Sequence, residues 1–176
     1  MKLFKKLAAA ALAAVLALTM VGCGAANGIT PRELFNIMSD GMLTEGVTVE
    51  RSNDMEQLAA KLASNIDKAE NKDAEIVERL TDPKVVAAAG IDAKKEIYMV
   101  NAVENYAFKS PFITDEEKTE WMFETLTENR DFIGGDSEGA DDPDDVIFSA
   151  KKWEAGIAAV KIDGKEYYVM VSKPIK

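Results

Sequence analysis

Hydrophobic residues recur three and four positions apart in two stretches of the first third of the chain, the pattern of amphipathic helices. The first stretch, residues 30–42, opens with Thr30 as a cap and Glu33 three residues later, which together form a capping box. The second begins at a Ser52 or Asn53 cap, and its apolar stripe consists of Met55, Leu58, Ala59, Leu62, Ala63 and Ile66. Both patterns predict helices that pack through one face.

Three further helices are predicted after these. Residues 73–80 form a short one, and another begins at Asp82-Pro83 and ends at Gly90 in a left-handed cap. The longest pattern covers residues 114–133, begins with a T-x-x-E box and has an apolar face of Trp121, Met122, Thr125 and Leu126. We expect this helix to be the packing centre of the domain, with a row of glutamates on its wet face.

Residues of β-branched and aromatic character predict strands in the second half of the chain. Two short segments have this character: residues 96–103 and 146–148. The segments 155–162 and 165–172 flank Asp163-Gly164, which favours the type I′ turn of a hairpin. One face of the hairpin is assigned Ile157, Ala159, Tyr167, Val169 and Val171, and the other Ala158, Val160, Ile162, Tyr168 and Met170. Both faces are apolar, so we expect helices on both sides of the sheet.

The first 23 residues resemble the signal segment of bacterial lipoproteins. Three lysines precede an apolar run over residues 7–20, which is short for a membrane span, and the run ends in Met20-Val21-Gly22-Cys23. The resemblance implies cleavage before Cys23 and a lipid on that cysteine, although Met20 replaces the usual leucine. Residues 24–29 would then form a tether. An ordinary signal peptide with a chance cysteine, or an uncleaved anchor, are the alternatives.

Charge and composition exclude several classes of function. The chain has 21 basic and 31 acidic residues, a net charge of −10, and removal of the three lysines in residues 1–23 leaves −13. Such a surface repels nucleic acid. The chain has no histidine, and Cys23 is its one cysteine. Ser-His-Asp catalysis, Cys-His catalysis and the usual zinc sites are therefore excluded, and no disulfide forms within the chain.

Element order and short motifs resemble the CAP superfamily, also called SCP/PR-1-like domains. Residues 33–38 are similar to its first helix, with Asn36 in the asparagine position, and Trp121 lies where the family has its tryptophan helix. Residues 156–160 and 167–171 are similar to its closing strands. The resemblance implies one α+β domain over residues 30–176, a three-layer α-β-α sandwich. Because both cleft histidines of the family are missing, its metal site is not carried over.

Four residues are the candidates for a cleft: Glu96, Glu124, Thr127 and Glu128. Glu96 lies near a family motif, and Thr127 or Glu128 falls at the place of a family histidine. Glu124 and Glu128 are one helical turn apart, and such a pair catalyses acid–base chemistry when burial raises one pKa; an exposed acidic face is the alternative. The loop 134–145 carries six carboxylates that suit calcium, but it lacks the EF-hand spacing, and a solvated loop is the alternative.

The sequence therefore predicts a non-enzymatic lipoprotein, held at the extracytoplasmic face of a bacterial membrane by lipidated Cys23. It would bind a cell-envelope component, a protein or a small ligand, without nucleic acid, metal or cofactor. The first alternative is a carboxylate-based or calcium-dependent hydrolase that uses Glu96, Glu124 or Glu128. The second is a structural or assembly lipoprotein whose hairpin or acidic loop pairs with a partner.

Overall fold

Side-chain caps begin the two longest helices that the structure describes. The computed structural model describes residues 29–44, 46–105, 128–134 and 149–175. Helix α1 (Pro31–Thr44) begins with the predicted capping box, since Glu33 Oε2 accepts from the Thr30 N–H at 2.7 Å and Thr30 Oγ1 accepts from the Glu33 N–H at 3.2 Å. Helix α2 (Asn53–Ser64) is capped by Ser52, whose hydroxyl accepts from the Met55 N–H at 3.4 Å. Strand β1 (Thr48–Arg51), which the pattern did not reveal, connects them.

Three short helical segments follow α2. They are a 3₁₀ turn (Ile66–Lys68), α3 (Ile76–Thr81) and α4 (Pro83–Ala89). Helix α3 begins three residues later than predicted. Helix α4 matches the prediction, because the Asp82 carboxylate accepts from the Lys84 N–H at 2.8 Å and Gly90 ends the helix at φ +81°. Of the helices described, none is long and apolar enough to cross a membrane.

Within the described residues, five strands form one mixed sheet in the order β1-β4-β5-β2-β3. The other four strands are β2 (Tyr98–Glu104), β3 (Arg130–Ile133), β4 (Lys152–Ile162) and β5 (Lys165–Pro174). β1 pairs with β4 in parallel, and the remaining pairs are antiparallel. The predicted hairpin is confirmed at the centre of the sheet, with Asp163 at φ +49° and Gly164 at φ +83° in its turn.

The predicted assignment of hairpin residues to faces was wrong. Ile162 pairs with Lys165 across the turn, so each pair along the hairpin joins an odd-numbered residue to an even-numbered one. Side chains of directly paired residues share a face. Ile157 and Ala159 therefore lie with Met170 and Tyr168 and not with Tyr167, Val169 and Val171, which join Ala158, Val160 and Ile162.

Helices cover both faces of the sheet, as the two apolar faces of the hairpin predicted. One core joins α1 to the face of the sheet that carries Ile157 and Met170. Its buried members include Leu34, Phe35, Met38, Trp153, Tyr168 and Met170. The other core joins α2, α3 and α4 to the opposite face, which carries Ala158 and Val169. Its buried members include Met55, Ala59, Leu62, Leu80, Val85, Val100 and Val169. The protein is thus a mixed α+β domain built around β4 and β5.

Helix α2 contacts β4 backbone to backbone at Gly156. A Cβ added to Gly156 would lie 2.6 Å from the Glu56 Cα and 2.6 Å from the Met55 carbonyl carbon. Contacts between carbon atoms are normally 3.5–4.0 Å, so only glycine fits at this crossing. The glycine fixes the N-terminal end of α2 over the sheet.

The helix predicted over residues 114–133 is corrected at its C-terminal end. Residues Arg130–Ile133 form β3, because Ile133 pairs with Tyr98 and Arg130 with Asn101 in the antiparallel ladder to β2. Sheet pairing, with Ile133 buried, overrides the helical pattern here. Residues 114–127 with Trp121, the predicted strand 146–148, the loop 135–145 and residues 1–28 lie outside the described residues.

Candidate functional site

One end of the sheet gathers a lysine, a tyrosine and two glutamates from three strands. Register places Glu154 of β4 directly beside Lys173 of β5. Met99 of β2 pairs with Ser172 of β5 in the antiparallel ladder, so Tyr98, one residue before Met99, lies next to Lys173, one residue after Ser172. Glu96 precedes β2 by two residues. These four residues, Glu96, Tyr98, Glu154 and Lys173, are called the Lys173 cluster.

Hydrogen bonds and ion pairs connect every member of the Lys173 cluster. The Lys173 Nζ lies 3.1 Å from Glu96 Oε1 and 3.3 Å from Glu154 Oε1. The Tyr98 hydroxyl donates to Glu96 Oε2. The ammonium also lies 5.8 Å from the centre of the Tyr98 ring, within the range of a cation–π contact. Lys173 therefore bridges two carboxylates while its charge faces an aromatic ring.

The backbone of Gly134 packs closely against the backbone of Glu96. Gly134 follows β3 at φ +96°, and a Cβ there would lie 2.9 Å from the Ala93 carbonyl oxygen and would also strike the Glu96 carbonyl oxygen. A side chain is thus excluded by both backbone conformation and space. The end of β3 packs against the chain that leads into β2.

The cluster keeps its groups in fixed charge states. The Tyr98 hydroxyl and the Lys173 ammonium lower the pKa of Glu96, in that order of effect. Burial, with the bond to Glu96, raises the pKa of Tyr98 far above its usual value. Burial works against the charge of Lys173, but its bonds to Glu96 and Glu154 outweigh that effect and raise its pKa. Near neutral pH the site is a neutral phenol, an ammonium and an ionised Glu96 carboxylate.

This electrostatic arrangement does not suit Glu96 as a general acid. A carboxyl group that donates a proton in catalysis must still hold that proton near working pH, which requires a raised pKa. The pKa of Glu96 is displaced downward, and its two oxygens are occupied by Tyr98 and Lys173. Lys173 and Glu154 are about one quarter exposed, at 24% and 28%, so the charged end of the cluster is in contact with solvent.

The described cleft candidates do not converge. Glu96 lies where β2 begins, beside Gly134, whereas Glu128 is exposed and precedes the opposite end of β3. The four-residue strand β3 lies between Glu128 and Gly134 and spans roughly 13 Å at ~3.3 Å per residue. Glu124 and Thr127 lie outside the described residues, as do Cys23 and the acidic carboxylates of residues 135–145. Within the described parts of the chain, no three His, Cys, Asp or Glu side chains are placed to hold a metal ion.

Sequence reasoning missed Lys173 and Glu154. The two-residue turn fixes the hairpin register, so their direct pairing was readable from the positions of Asp163 and Gly164. The approach of Tyr98 and Glu96 was not readable, because it depends on the pairing of β2 with β5, which are about seventy positions apart.

A buried charge lies at the opposite end of the hairpin. Arg79 of α3 is 5% exposed, and its Nη1 donates to Asp163 Oδ2 in the hairpin turn at 2.6 Å. This contact lowers the pKa of Asp163. The Arg79 Nε is buried without a hydrogen-bond partner. The pair ties α3 to the turn and leaves most of the Asp163 side chain, 58%, in contact with solvent.

Comparison with known proteins gives no match: the chain matches no family model, no curated protein and no solved structure. The part of the chain that the structure describes accordingly defines a class only, a mixed α+β domain with a five-stranded sheet. Any more specific assignment of function must be argued from the residues of this chain.

Proposed function

We propose that the protein is a lipid-anchored, extracytoplasmic lipoprotein of a bacterial membrane that acts by binding and not by catalysis. The observation that carries this proposal is the distance in sequence between the lipobox-like segment and the fold. Cys23 ends the segment, and the chain is fixed from Ile29 onward, where the Tyr168 hydroxyl donates to the Ile29 carbonyl. Six residues extend over at most about 20 Å, so the lipid would hold the domain at the membrane surface.

Lipid attachment is tested by substituting Cys23. We expect the full chain to incorporate a radiolabelled fatty acid and to sediment with membranes, and we expect Cys23→Ser to lose both properties. Two acyl chains anchor a protein stably, so the separation between fractions should be nearly complete. Met20→Leu is the matched control, because it restores the usual lipobox residue and should retain the label. If the wild-type chain takes up no label and sediments with membranes to the same extent as Cys23→Ser, the proposal is refuted.

The Lys173 cluster supports a binding role over the hydrolase alternative. Its charges are fixed by mutual contacts, and partial exposure of Lys173 and Glu154 leaves them accessible to a ligand. In assays with model ester, peptide and glycoside substrates, we expect no turnover that depends on Glu96, so Glu96→Gln should behave like the wild-type chain. Turnover by the wild-type chain that disappears in Glu96→Gln and persists in Glu33→Gln, an exposed carboxylate on α1, would establish the enzyme instead.

A CAP-like architecture belongs to the same proposal. It is supported by helices on both faces of the sheet and by a central hairpin at the C-terminal end of the element order. The resemblance implies a packed helix around Trp121, and residues 114–127 are the part of the predicted helix 114–133 that precedes the described residues. Amide hydrogen exchange tests it, since a packed helix would protect those amides as strongly as the amides of α2, and rapid exchange throughout would contradict it.

A further inference from the structure

The dipeptide Asp-Gly occurs twice in the chain, in two different backbone settings. Asp40-Gly41 lies within α1, where each N–H bonds to the carbonyl four residues earlier. Asp163-Gly164 forms the exposed turn of the hairpin, beyond the last paired residues of β4 and β5. Because the dipeptide is the same, the two sites show how the fold changes its chemistry.

An Asp-Gly sequence can rearrange its own backbone. The glycine nitrogen attacks the Cγ atom of the aspartic side chain, a C–N bond forms, and the carboxyl OH leaves with the amide proton as water. The product is a cyclic imide, which a second water molecule opens. When it opens at the main-chain carbonyl, the backbone runs through Cβ and Cγ and the residue has become isoaspartate. The reaction needs water alone, and the mass of the chain is unchanged.

The hairpin turn leaves the attacking nitrogen of Gly164 accessible. Gly164 has no Cβ, and one built there would meet nothing within 4 Å. The ladder between β4 and β5 does not hold its N–H, and the Asp163 side chain beside it is 58% exposed. In α1, by contrast, the helical hydrogen bond occupies the nitrogen of Gly41. The turn is therefore the more reactive of the two settings.

Arg79 acts on the other reactant, the carboxyl group of Asp163. Its Nη1 donates to Asp163 Oδ2 at 2.6 Å, and the arginine is buried in α3. This contact lowers the pKa of Asp163 and so favours the ionised carboxylate. The reaction requires the protonated carboxyl group, because OH leaves as water and an oxide ion does not. The ion pair also directs the carboxylate toward α3 and away from the turn backbone.

The same ion pair is an inefficient way to stabilise the fold. The Arg79 Nε is buried without a hydrogen-bond partner, which costs free energy, and solvent screens its exposed partner. We propose that Asp163 is a site of isomerisation to isoaspartate and that its ion pair with Arg79 restrains this reaction in the folded chain. Conversion would insert one carbon atom into the main chain of a two-residue turn and disrupt the closing pair of Ile162 and Lys165.

Ageing the full chain near neutral pH, followed by proteolysis and liquid chromatography with mass spectrometry, tests the proposal. An isoaspartyl peptide has the mass of the normal peptide but a different retention time and fragmentation pattern. Arg79→Met removes the charge and should accelerate isomerisation at Asp163 about fivefold, the factor that a partly exposed ion pair contributes. Asp40 in the same sample is the matched control. It should keep its wild-type rate, since α1 and α3 pack on opposite faces of the sheet.

Two further variants separate the chemistry from a loss of folding. Gly164→Ala places a Cβ beside the attacking nitrogen without striking a neighbour, and it should suppress isomerisation at Asp163 with or without Arg79. Arg79→Lys keeps a cation on α3 and should react more slowly than Arg79→Met. Equal rates at Asp163 in wild type and Arg79→Met would overturn the proposal. So would an acceleration at Asp40 as large as that at Asp163, because unfolding and not the lost ion pair would then be the cause.

Discussion

The crossing of α2 over Gly156 predicts a large cost for the smallest possible substitution, Gly156→Ala. The added Cβ would lie 2.0 Å from the Glu56 backbone nitrogen and 2.6 Å from two backbone carbons of Met55 and Glu56, and none of these atoms can rotate away as a side-chain tip would. Moving the nitrogen to a normal contact distance of ~3.5 Å requires a displacement of the α2 N-terminus by about 1.5 Å. The backbone conformation of Gly156 lies outside the left-handed region, so the cost is steric alone.

That displacement moves residues that are buried in the core or hydrogen-bonded at the start of α2. Met55 is 4% exposed and Ala59 is completely buried, and both pack between α2 and the sheet. The same movement stretches the 3.4 Å bond from the Met55 N–H to the Ser52 hydroxyl. Overpacking costs 1–3 kcal/mol, and because backbone obstructs backbone we expect the upper end, about 3 kcal/mol. A chain of this length should lose roughly 6–12 °C in its unfolding temperature.

Urea and thermal unfolding, followed by far-UV circular dichroism and tryptophan fluorescence, measure this cost. The control is Gly90→Ala, where a Cβ meets nothing within 4 Å and the cost is backbone strain at φ +81°, about 1 kcal/mol. Gly156→Ala should therefore lose about three times as much free energy of unfolding as Gly90→Ala. Equal losses in the two variants would show that α2 does not lie on β4, and the reasoning would fail.

Three other substitutions test the cap, the Lys173 cluster and the buried arginine. Thr30→Ala removes the capping box of α1 and should lower the free energy of unfolding by about 1 kcal/mol in urea titrations, whereas an unchanged midpoint would contradict the box. The lowered pKa of Glu96 stabilises the fold above its ordinary value of 4.5, and this contribution disappears as pH falls through the folded-state value. Wild type and Glu96→Gln should therefore differ in unfolding temperature at pH 7 and converge in acid; a constant difference from pH 7 to pH 3 would refute the linkage. Asp163→Asn keeps the turn but leaves buried Arg79 without its counter-charge, so it should cost about 1–2 kcal/mol, a range reduced for the exposure of Asp163. The double variant with Arg79→Met should recover most of that loss, and additive losses would disprove the coupling.

The parts of the fold that were predictable are those encoded by neighbouring residues. Ser52 caps α2, and Asp163-Gly164 makes the hairpin turn, because a cap or a turn needs only a few consecutive side chains. Strand β1 was missed because only Val49 of its four residues points inward, which leaves no alternation to detect. Strand β3 was missed because pairing with β2, and not local preference, makes residues 130–133 extended.

The candidate site was less predictable than the fold. Glu96 was identified, but its partners come from strands far along the chain, and their approach depends on strand order. Lys173 reaches Tyr98 only because β5 lies between β4 and β2. The direction of the pKa shift at Glu96 likewise depends on that neighbour, so the sequence could suggest a carboxylate but not its chemical role.

The strand order also determines when the molecule can fold. β1 pairs with a strand that begins at residue 152, and the apolar faces of α1 and α2 pack on the same late hairpin. At synthesis rates of 5–20 residues per second, roughly 5–20 s separate β1 from its partner. Leu34, Phe35 and Met55 therefore have no completed sheet to pack on throughout that interval. The N-terminal half emerges as an unpaired amphipathic chain, a state in which a polypeptide can still be threaded or bound by a chaperone, and commitment to the native fold waits for the final two strands.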